Sequence, residues 1–466
     1  MRPSRLAVAL AAAVLAAVAA RGTARAADTG GGFAIVGATV FDGTGAPARP
    51  DSVIVVQGER IKAVGSRAEV AIPKGLRIVD GRGRWVMPGL IDAHVHFFQS
   101  GGAYARPDVI DLRAHRSYEK EIAAVKQGLD GTLARYLRCG VTSVVDAGGP
   151  MRNFEVRDHA ARTLLAPRVA VAGPLVSTVA RPQLDLGDPP IVKVDSPAAA
   201  RALVSGQAAR RPDLVKIWYI QRPGDDPAGG RAILDAVVAE ARLHRLRVAV
   251  HATEMAGARA AVDAGASVLV HSVFDQPVDD AFVKSVRDRG VLYVPTLFVT
   301  RGYDLVLSGR FEPTEAERRL GDPDALRTFV EITRLPEFKP SPRPQTEPRL
   351  AVALANLRRL STAGARIAAG TDAGNIGTLH GPSIHRELRL MVEAGMTPAQ
   401  VLSAATLGGA RVMGREADLG TLAAGKLADL LVLDGDPTAD LAVLERPREV
   451  VKGGRMLTAE ELRDRP

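Results

Sequence analysis

The chain has 466 residues, 46% of them apolar and 4% aromatic, and its net charge is +9 at pH 7. Because a chain of this length and composition buries a large core and exceeds one ordinary domain, we expect one large domain and a smaller one. Charges of both signs are interspersed, without a basic stripe and with few aromatic side chains for bases to stack on, so nucleic acid is excluded as an expected partner.

The first 26 residues have the pattern of a secretory signal peptide. Two arginines precede an Ala/Val/Leu-rich run at 6–20, and Ala-Arg-Ala at 24–26 offers a small-x-small cleavage site. The apolar run is shorter and richer in alanine than the about 20 residues of a spanning helix. We therefore expect residues 1–26 to be removed and the mature protein to be periplasmic or secreted, without stable insertion in a membrane.

Short apolar segments with Gly-rich turns occupy both flanks of the mature chain. The N-terminal flank, 27–85, has such segments at 33–36 and 52–56, and the C-terminal flank, 408–466, has them at 428–433 and 450–455. This texture is typical of short antiparallel strands. We predict one small β-sandwich domain that is built from the two flanks together.

Residues 86–407 alternate between short β-branched segments and helical patterns. The first candidate strand ends in His94, and seven others follow at 142–145, 168–172, 214–218, 247–250, 267–270, 291–294 and 366–369. Helical patterns such as 230–245 and 256–264 separate most of them. Since right-handed crossovers between such units close a parallel sheet, the predicted fold class is α/β, a (β/α)8 TIM barrel.

Six side chains of metal-binding type stand at or just after the ends of these strands. His94 and His96 end the segment V-M-P-G-L-I-D-A-H-V-H, where alternate strand positions put both imidazoles on one face. Taken singly, such residues are also explained by polar strand ends, solvent-reaching lysines or hydrogen-bonded core histidines. Barrel active sites lie at the carboxyl ends of the strands, so the whole set favours a metal site. The other members are Lys216, His251, His271 and Asp372.

The ligand types restrict the metal. Imidazole and carboxylate ligands suit Zn²⁺, and Mn²⁺ or Co²⁺ are also compatible. Lys216 stands between Val215 and Ile217, where an ammonium is costly unless it is paired or neutralised, and nearby cations lower its pKa further. A neutral amine at this position is able to capture carbon dioxide and become an anion that binds two cations.

With these residues in place, the chain resembles the amidohydrolase superfamily, especially its imidazolonepropionase-related and metallo-dipeptidase-like branch. The resemblance runs from P-G-L-I-D-A-H-V-H through G-V-T-S-V-V-D-A-G-G, G-T-D-A-G and H-G-P-S-I-H-R-E-L to G-K-L-A-D-L-L-V-L. It implies a binuclear centre in which His94, His96 and Asp372 hold one divalent ion. His251 and His271 would hold the other, with carboxylated Lys216 as the bridge. A metal-bridging hydroxide would attack the substrate while Asp372 acts as general base and acid.

The resemblance thus implies an exported amidohydrolase that cleaves the C–N bond of an amide, cyclic amide or dipeptide-like substrate. The alternatives are a mononuclear deaminase, an imidazolonepropionase-like ring-opening hydrolase, a lactone or ester hydrolase, and a non-catalytic scaffold. Lys216 argues against the mononuclear relatives, which commonly lack it, and the complete ligand set argues against a scaffold. The expected partner is a small molecule or short peptide, and a homo-oligomer is compatible with the sequence.

Other polar residues near the predicted strand ends are candidates for supporting roles. His380, in G-T-L-H-G-P, either contacts substrate or fixes its loop by hydrogen bonds. Tyr219 either donates a hydrogen bond to a developing oxyanion or packs as an ordinary aromatic residue. Asp146, at the end of the second strand, is a candidate for orienting a metal-bound histidine. The candidates for binding a substrate carboxylate are Arg113, Arg152 and Arg181.

A segment rich in proline and charge, about 300–349, separates the seventh and eighth predicted strands. Its centre reads L-P-E-F-K-P-S-P-R-P at 335–344. Long excursions on the active face of a barrel are usually lids or specificity loops. We expect substrate discrimination here, and a mobile linker without a role in binding is the alternative.

Overall fold

The computed structural model describes residues 31–221, 224–336, 338–458 and 460–462. The predicted signal peptide, 1–26, lies outside these residues. None of the helices in the described ranges combines the length and the apolar character that a membrane span requires.

Strands and helices alternate through the middle of the chain, and strands dominate at both ends. In chain order the strands are β1 (Phe33–Val40), β2 (Arg49–Gln57), β3 (Arg60–Ser66), β4 (Arg77–Asp80), β5 (Trp85–Pro88), β6 (Leu90–Val95), β7 (Val141–Asp146), β8 (Arg168–Val171), β9 (Leu175–Ser177), β10 (Ile191–Lys193), β11 (Val215–Trp218), β12 (Val248–His251), β13 (Val268–Val270), β14 (Leu292–Val294), β15 (Arg366–Ile367), β16 (Leu430–Leu433), β17 (Glu449–Lys452) and β18 (Arg455–Leu457). The α-helices are α1 (Tyr118–Gln127), α2 (Leu129–Arg138), α3 (Asn153–Arg162), α4 (Pro197–Ala208), α5 (Pro227–Leu243), α6 (Met255–Ala264), α7 (Asp280–Asp288), α8 (Phe298–Leu307), α9 (Glu315–Leu320), α10 (Pro323–Ile332), α11 (Thr346–Thr362), α12 (Ser383–Glu393), α13 (Pro398–Ser403) and α14 (Gly409–Met413).

The two flanks of the chain meet in one eight-stranded sheet of order β18-β17-β16-β5-β1-β2-β3, with β4 beside β1. Its strands alternate in side-chain direction, as pleated strands must. Phe33 and Ile35 pack with Leu430 and Val432 in one apolar cluster, whereas Ala34 belongs to a separate cluster. The expected pairing of the N-terminal and C-terminal flanks is therefore present, and the two-layered sandwich stays a prediction.

Parallel strands form a three-stranded sheet, β6-β7-β8, and a seven-stranded sheet, β10-β9-β11-β12-β13-β14-β15. All eight predicted strands are present, and β9 and β10 are additional. The eighth strand is shorter than predicted because the last predicted residue, Ala369, forms its hydrogen bonds with other segments. The N–H of Ala369 donates to the carbonyl of Ala404, and the carbonyl of Ala369 accepts from the N–H of Ala93 in β6. The fold is α/β with parallel sheets, and closure into a barrel stays a prediction.

Strand alternation decides which side chains face the site. Val215 and Ile217 of β11 pack into the large cluster that the helices cover. Lys216 lies between them and is in register with Ala249 of β12, which belongs to a second cluster on the opposite side of the strands. Paired residues of neighbouring strands point the same way, so the side chain of Lys216 points away from the helices.

The segment between β14 and β15 is largely helical. It contains α8, α9, α10 and α11, and the Pro-rich part between α10 and α11 has no regular structure where it is described. That part is tied to α8 by two hydrogen bonds, from Ser341 N to the carbonyl of Leu307 at 2.8 Å and from Arg343 N to Oδ1 of Asp304 at 2.6 Å. These contacts hold the Pro-rich part against α8, which argues against a mobile linker, and a role in substrate discrimination stays a prediction.

Candidate metal centre

The predicted metal ligands converge at the carboxyl ends of the parallel strands. A cavity of about 350 Å³ opens there, and five of the six ligands line it: His96, Lys216, His251, His271 and Asp372. His94 is fully buried at the end of β6. Residues from five different strand ends thus share one site, as the parallel arrangement requires.

His94, His96 and Asp372 form the tightest part of the site, with ligand atoms within 4.8 Å of one another. Nε2 of His96 lies 3.0 Å from Oδ1 of Asp372 and 3.2 Å from Nε2 of His94. Nδ1 of His96 lies 2.6 Å from the carbonyl oxygen of Gly148, and because a carbonyl only accepts, Nδ1 carries the proton. In a neutral ring the lone pair of Nε2 faces a carboxylate oxygen, an arrangement that is repulsive unless a cation lies between the two atoms. The three side chains fit a metal ion.

His251 and His271 extend the site on its other side. Their ring centroids are 4.3 Å apart, and Nδ1 of His271 lies 4.0 Å from Oδ2 of Asp372. The same Nδ1 contacts Oγ1 of Thr296 at 2.7 Å, which fixes the ring. Burial and nearby positive charge lower the pKa of both imidazoles well below the usual value, so both are neutral, as metal ligands must be.

Lys216 lies buried beside these imidazoles. Burial lowers the pKa of its ammonium to about 7, although the charge of Asp372 opposes the shift. No carboxylate within the described residues forms an ion pair with it. The amine is therefore able to be neutral near pH 7, which is the state that reaction with carbon dioxide needs.

The sequence model of the amidohydrolase family matches residues 85–457, most of the chain. The chain belongs to the amidohydrolase family. An imidazolonepropionase of Rhizobium meliloti (strain 1021) is 35% identical over 104 residues, 22% of this chain and 24% of that protein. That alignment spans about a quarter of the relative's own length.

Two other relatives align with most of this chain. An imidazolonepropionase of Streptomyces avermitilis is 29% identical over 393 residues, 80% of this chain and 78% of that protein. A putative prolidase from Bifidobacterium longum, known from its crystal structure, is 27% identical in sequence to this chain. The two structures superpose with a TM-score of 0.68, and the match covers 92% of this chain and 95% of the prolidase chain. The chain is thus placed in the imidazolonepropionase- and dipeptidase-related branch, among hydrolases that act on C–N bonds.

Three residues of this amidohydrolase's centre have a left-handed backbone without being glycine. The φ angles are +74° at His271, +43° at Thr296 and +63° at Asp372. Each such conformation costs about 1–3 kcal/mol and persists only where the surroundings impose it. The N–H of Asp372 donates to the carbonyl of His94 at 2.7 Å, and that of His271 to Val294 at 2.9 Å. Backbone hydrogen bonds to neighbouring strands thus hold His271 and Asp372 in the conformations that direct their side chains into the centre.

Asp92 supports the centre and was not among the predicted residues. Its Oδ1 accepts from the N–H of His94 at 3.2 Å and of Thr371 at 3.0 Å, and its Oδ2 accepts from the Thr371 hydroxyl at 2.7 Å. This fully buried carboxyl therefore ties β6 to the segment that carries Asp372. Gly370 lets the two segments approach, since a Cβ there would lie 3.0 Å from the His94 nitrogen. Asp92 stands two residues before His94, so strand alternation was the signal that could have revealed it.

Asp146 acts on His96 indirectly. Its Oδ2 accepts from Nδ2 of Asn153 at 2.6 Å, and its Oδ1 accepts from Gly148 N at 3.3 Å. Gly148 in turn offers its carbonyl to the ring of His96. The carboxyl is thus linked to the imidazole through a backbone turn, with no direct bond between them among the described contacts, and the orienting role stays a prediction.

His380 occupies a position that favours the loop-fixing alternative. Its Nε2 donates to the carbonyl of Gln99 at 2.8 Å, which leaves Nδ1 to accept from the Tyr136 hydroxyl at 2.8 Å. The ring also stacks on Phe97. His380 lines a separate cavity of about 270 Å³, whereas Gln99 lines the central one as well. The imidazole therefore holds the loop that contributes Gln99.

Tyr219 requires a correction. Its ring lies in the helix-facing cluster, against the backbones of α5 and α6 at Gly230 and Gly257, and its hydroxyl accepts from Gln221 at 2.9 Å. Strand alternation turns it away from the cavity, which Trp218 lines instead. This position does not support the predicted contact with an oxyanion.

The arginines named as candidates for a substrate carboxylate lie outside the cavity lining. Arg113 is exposed and pairs with Asp111 at 2.6 Å. The main-chain N–H of Arg152 donates to Asp188 at 3.1 Å, and Arg181 lies 4.7 Å above the ring of Trp218. The cavity is lined by three other arginines, which sequence reasoning missed: Arg106, Arg343 and Arg349.

Proposed function

We propose that this amidohydrolase cleaves the C–N bond of a small amide, cyclic amide or dipeptide-like substrate at a centre of two divalent metal ions, with Zn²⁺ the first expectation. The observation that carries the proposal is the convergence of six ligand-type side chains on one cavity. The names of the relatives, an imidazolonepropionase and a putative prolidase, support a small-molecule or short peptide substrate.

In the proposed centre His94, His96 and Asp372 would hold one ion and His251 and His271 the other, and Lys216, once carboxylated, would supply an anionic ligand to the pair. The opposed acceptor atoms of His96 and Asp372 support the first ion, and the paired rings of His251 and His271 support the second. Bound divalent ions would bring the pKa of a water molecule near neutrality and polarise the scissile carbonyl.

The remaining steps belong to side chains of the protein. Oδ1 of Asp372 faces the two imidazole nitrogens, so Oδ2 is the atom left to take the proton of the attacking water. Asp372 then delivers that proton to the nitrogen that leaves. No serine or cysteine nucleophile is needed. The apolar walls of the cavity, among them Phe98, Trp218 and Leu297, exclude bulk water from the reacting atoms.

We also propose that the parallel strands close into a (β/α)8 barrel over 86–407 and that the flanks, 27–85 and 408–466, form a β-sandwich. The hydrogen bond from Ala93 to Ala369 supports closure at one seam. The short strand β9, which follows β8 and pairs with β11, supports it at the other. Export follows from the signal pattern at 1–26, and N-terminal sequencing of exported protein is expected to start near residue 27.

Metal analysis and chemical rescue test the mechanism. The native protein is expected to hold two ions per chain. Lys216→Ala is expected to lose activity on amides and dipeptides and to regain part of it with formate or propionate, whose carboxylate replaces the bridge. One ion per chain would favour a mononuclear enzyme, and full activity of Lys216→Ala without added acid would refute the bridge. Turnover confined to lactones and esters would refute C–N hydrolysis.

A further inference from the structure

Two arginines at the rim of the central cavity carry positive charge, and within the described residues neither is offset by an ion pair. Arg343 and Arg349 both line the cavity, and both are exposed. The guanidinium of Arg343 lies 5.2 Å from the ring centre of Tyr303, and that of Arg349 lies 5.0 Å from the ring centre of Phe274. Within the described part of the chain, neither forms an ion pair with an aspartate or glutamate.

The other arginine of the cavity has acceptors for four of its five N–H groups. Nε and Nη2 of Arg106 each donate to one oxygen of Asp108 at 2.7 Å. Its Nη1 donates to Asn375 at 2.6 Å and to the Tyr303 hydroxyl at 3.1 Å. Nε of Arg181 lies 3.2 Å from the same Asp108. The positive charge available to a ligand is therefore concentrated at the two rim arginines.

The fold holds these two arginines in place. The backbone N–H of Arg343 is bonded to the buried Asp304 of α8, and Arg349 stands in the first turns of α11. Each guanidinium rests near an aromatic ring, an arrangement that stabilises the cation and leaves its N–H edge free. A planar guanidinium edge matches a carboxylate, with which it forms two parallel hydrogen bonds.

The walls between the rim and the metal ligands are mainly apolar. They consist of aromatic and aliphatic side chains, which pack well against a ring or a branched chain but offer few hydrogen bonds. The residues concerned are Phe98, Leu175, Trp218, Phe274, Leu297 and Leu350. A ligand that spans this cavity therefore combines an apolar group with an anionic end.

We propose that Arg343 and Arg349 bind a carboxylate of the substrate, so that the enzyme selects amides that carry a free carboxylate and an apolar group. The inference rests on the proposed C–N hydrolysis and adds which amides are accepted. The carboxylate is held at the rim, and the apolar walls hold the rest of the molecule with its amide toward the metal ligands. The rim arginines touch no reacting atom and act through affinity.

Hippurate (N-benzoylglycine) and N-benzoylglycinamide test this selection, because they share the benzamide bond and differ only at the terminal group. Turnover is measured as release of benzoate, so that hydrolysis of the terminal carboxamide is not counted. With the native, metal-loaded enzyme, kcat/KM is expected to be higher for hippurate. In Arg343→Met/Arg349→Met, which keeps the apolar stems, kcat/KM for hippurate is expected to fall at least about tenfold through KM, the effect of one lost charge-assisted hydrogen bond. In the same double variant, kcat/KM for N-benzoylglycinamide is expected to change less than about twofold. Arg334→Met, an exposed arginine of the same segment, is the control and leaves both unchanged.

Calorimetric binding separates this inference from the proposed reaction. Hippurate is expected to bind the native protein more tightly than N-benzoylglycinamide does, and the double variant is expected to lose that difference. If the native protein prefers neither ligand, or the double variant weakens both equally, the rim does not recognise a carboxylate. If hippurate binding depends on the two arginines while no amide is cleaved by the metal-loaded enzyme, the proposed reaction fails and the rim site stands.

Discussion

The floor and the rim of the central cavity are built in different ways. The floor carries its ligands on the ends of parallel strands, where His94 and Asp372 are buried and fixed by backbone hydrogen bonds. The rim carries Arg343 on the Pro-rich stretch and Arg349 on α11, where both are exposed and lie near aromatic rings. The buried floor thus fixes the geometry of the reacting groups, whereas the exposed side chains of the rim are able to adjust to the substrate. Variants of the floor are expected to lose turnover or metal, and variants of the rim to lose affinity.

The largest effect is expected at the floor, from Asp372→Asn. The amide keeps an oxygen for the metal but cannot accept the proton of the attacking water, so kcat is expected to fall about 10²–10⁴-fold. Metal content measured by elemental analysis is expected to change far less than kcat, which separates proton transfer from loss of the ion. A variant with kcat within about threefold of the native value would show that another group is the base.

Asp92→Ala tests whether the floor depends on groups that touch no ligand. It leaves three donors of His94 and Thr371 without their acceptor, so metal affinity is expected to fall about 10- to 100-fold. The free energy of unfolding is expected to fall by about 1–3 kcal/mol. Asp111→Ala, which removes an exposed carboxylate, is the control for both measurements. Unchanged metal affinity in the Asp92 variant would mean that the centre holds its shape without this tie.

The residues of the floor were largely predictable from sequence because each of them follows a recognisable apolar strand segment. The alternation in L-I-D-A-H-V-H puts His94 and His96 on one face, and each later ligand ends its own apolar segment, so parallel strands bring them together. The same rule, applied further, would have found Asp92 and would have excluded Tyr219. Left-handed backbone at His271 and Asp372 could not be read from sequence, because it is imposed by hydrogen bonds to neighbouring strands.

The sequence indicated which segment forms the rim but not which of its residues line the cavity. The Pro-rich stretch indicated a specificity segment, yet Arg343 and Arg349 differ in no local pattern from the many other arginines of the chain. What distinguishes them is long-range: two aromatic rings, Tyr303 and Phe274, and the absence of a carboxylate partner in the described residues. Arg113 and Arg181 looked equivalent until the structure showed the aspartates beside them.

Asp304→Ala probes the attachment of the rim without removing an arginine. The buried carboxylate accepts from Arg343 N and pairs with Arg310 at 2.7 Å, so its loss frees the Pro-rich stretch from α8. KM for a carboxylate-bearing amide is expected to rise about 3- to 10-fold, because the arginine must then be ordered on binding. The value of kcat is expected to stay within about twofold. A fall in kcat with unchanged KM would instead couple the rim to the chemistry of the floor.

The smallest effect is expected from Tyr219→Phe, which lies outside both regions. Its hydroxyl faces the helices and is bonded to Gln221, so its removal leaves the floor and the rim intact. We expect kcat/KM to stay within about twofold and the free energy of unfolding to fall by about 0.5–1.5 kcal/mol, the usual contribution of one hydrogen bond. Denaturant unfolding and steady-state kinetics on the same preparation measure both quantities. A tenfold fall in kcat would place this hydroxyl at the reacting carbonyl, which requires β11 to be rotated about its axis and would also turn Lys216 out of the cavity.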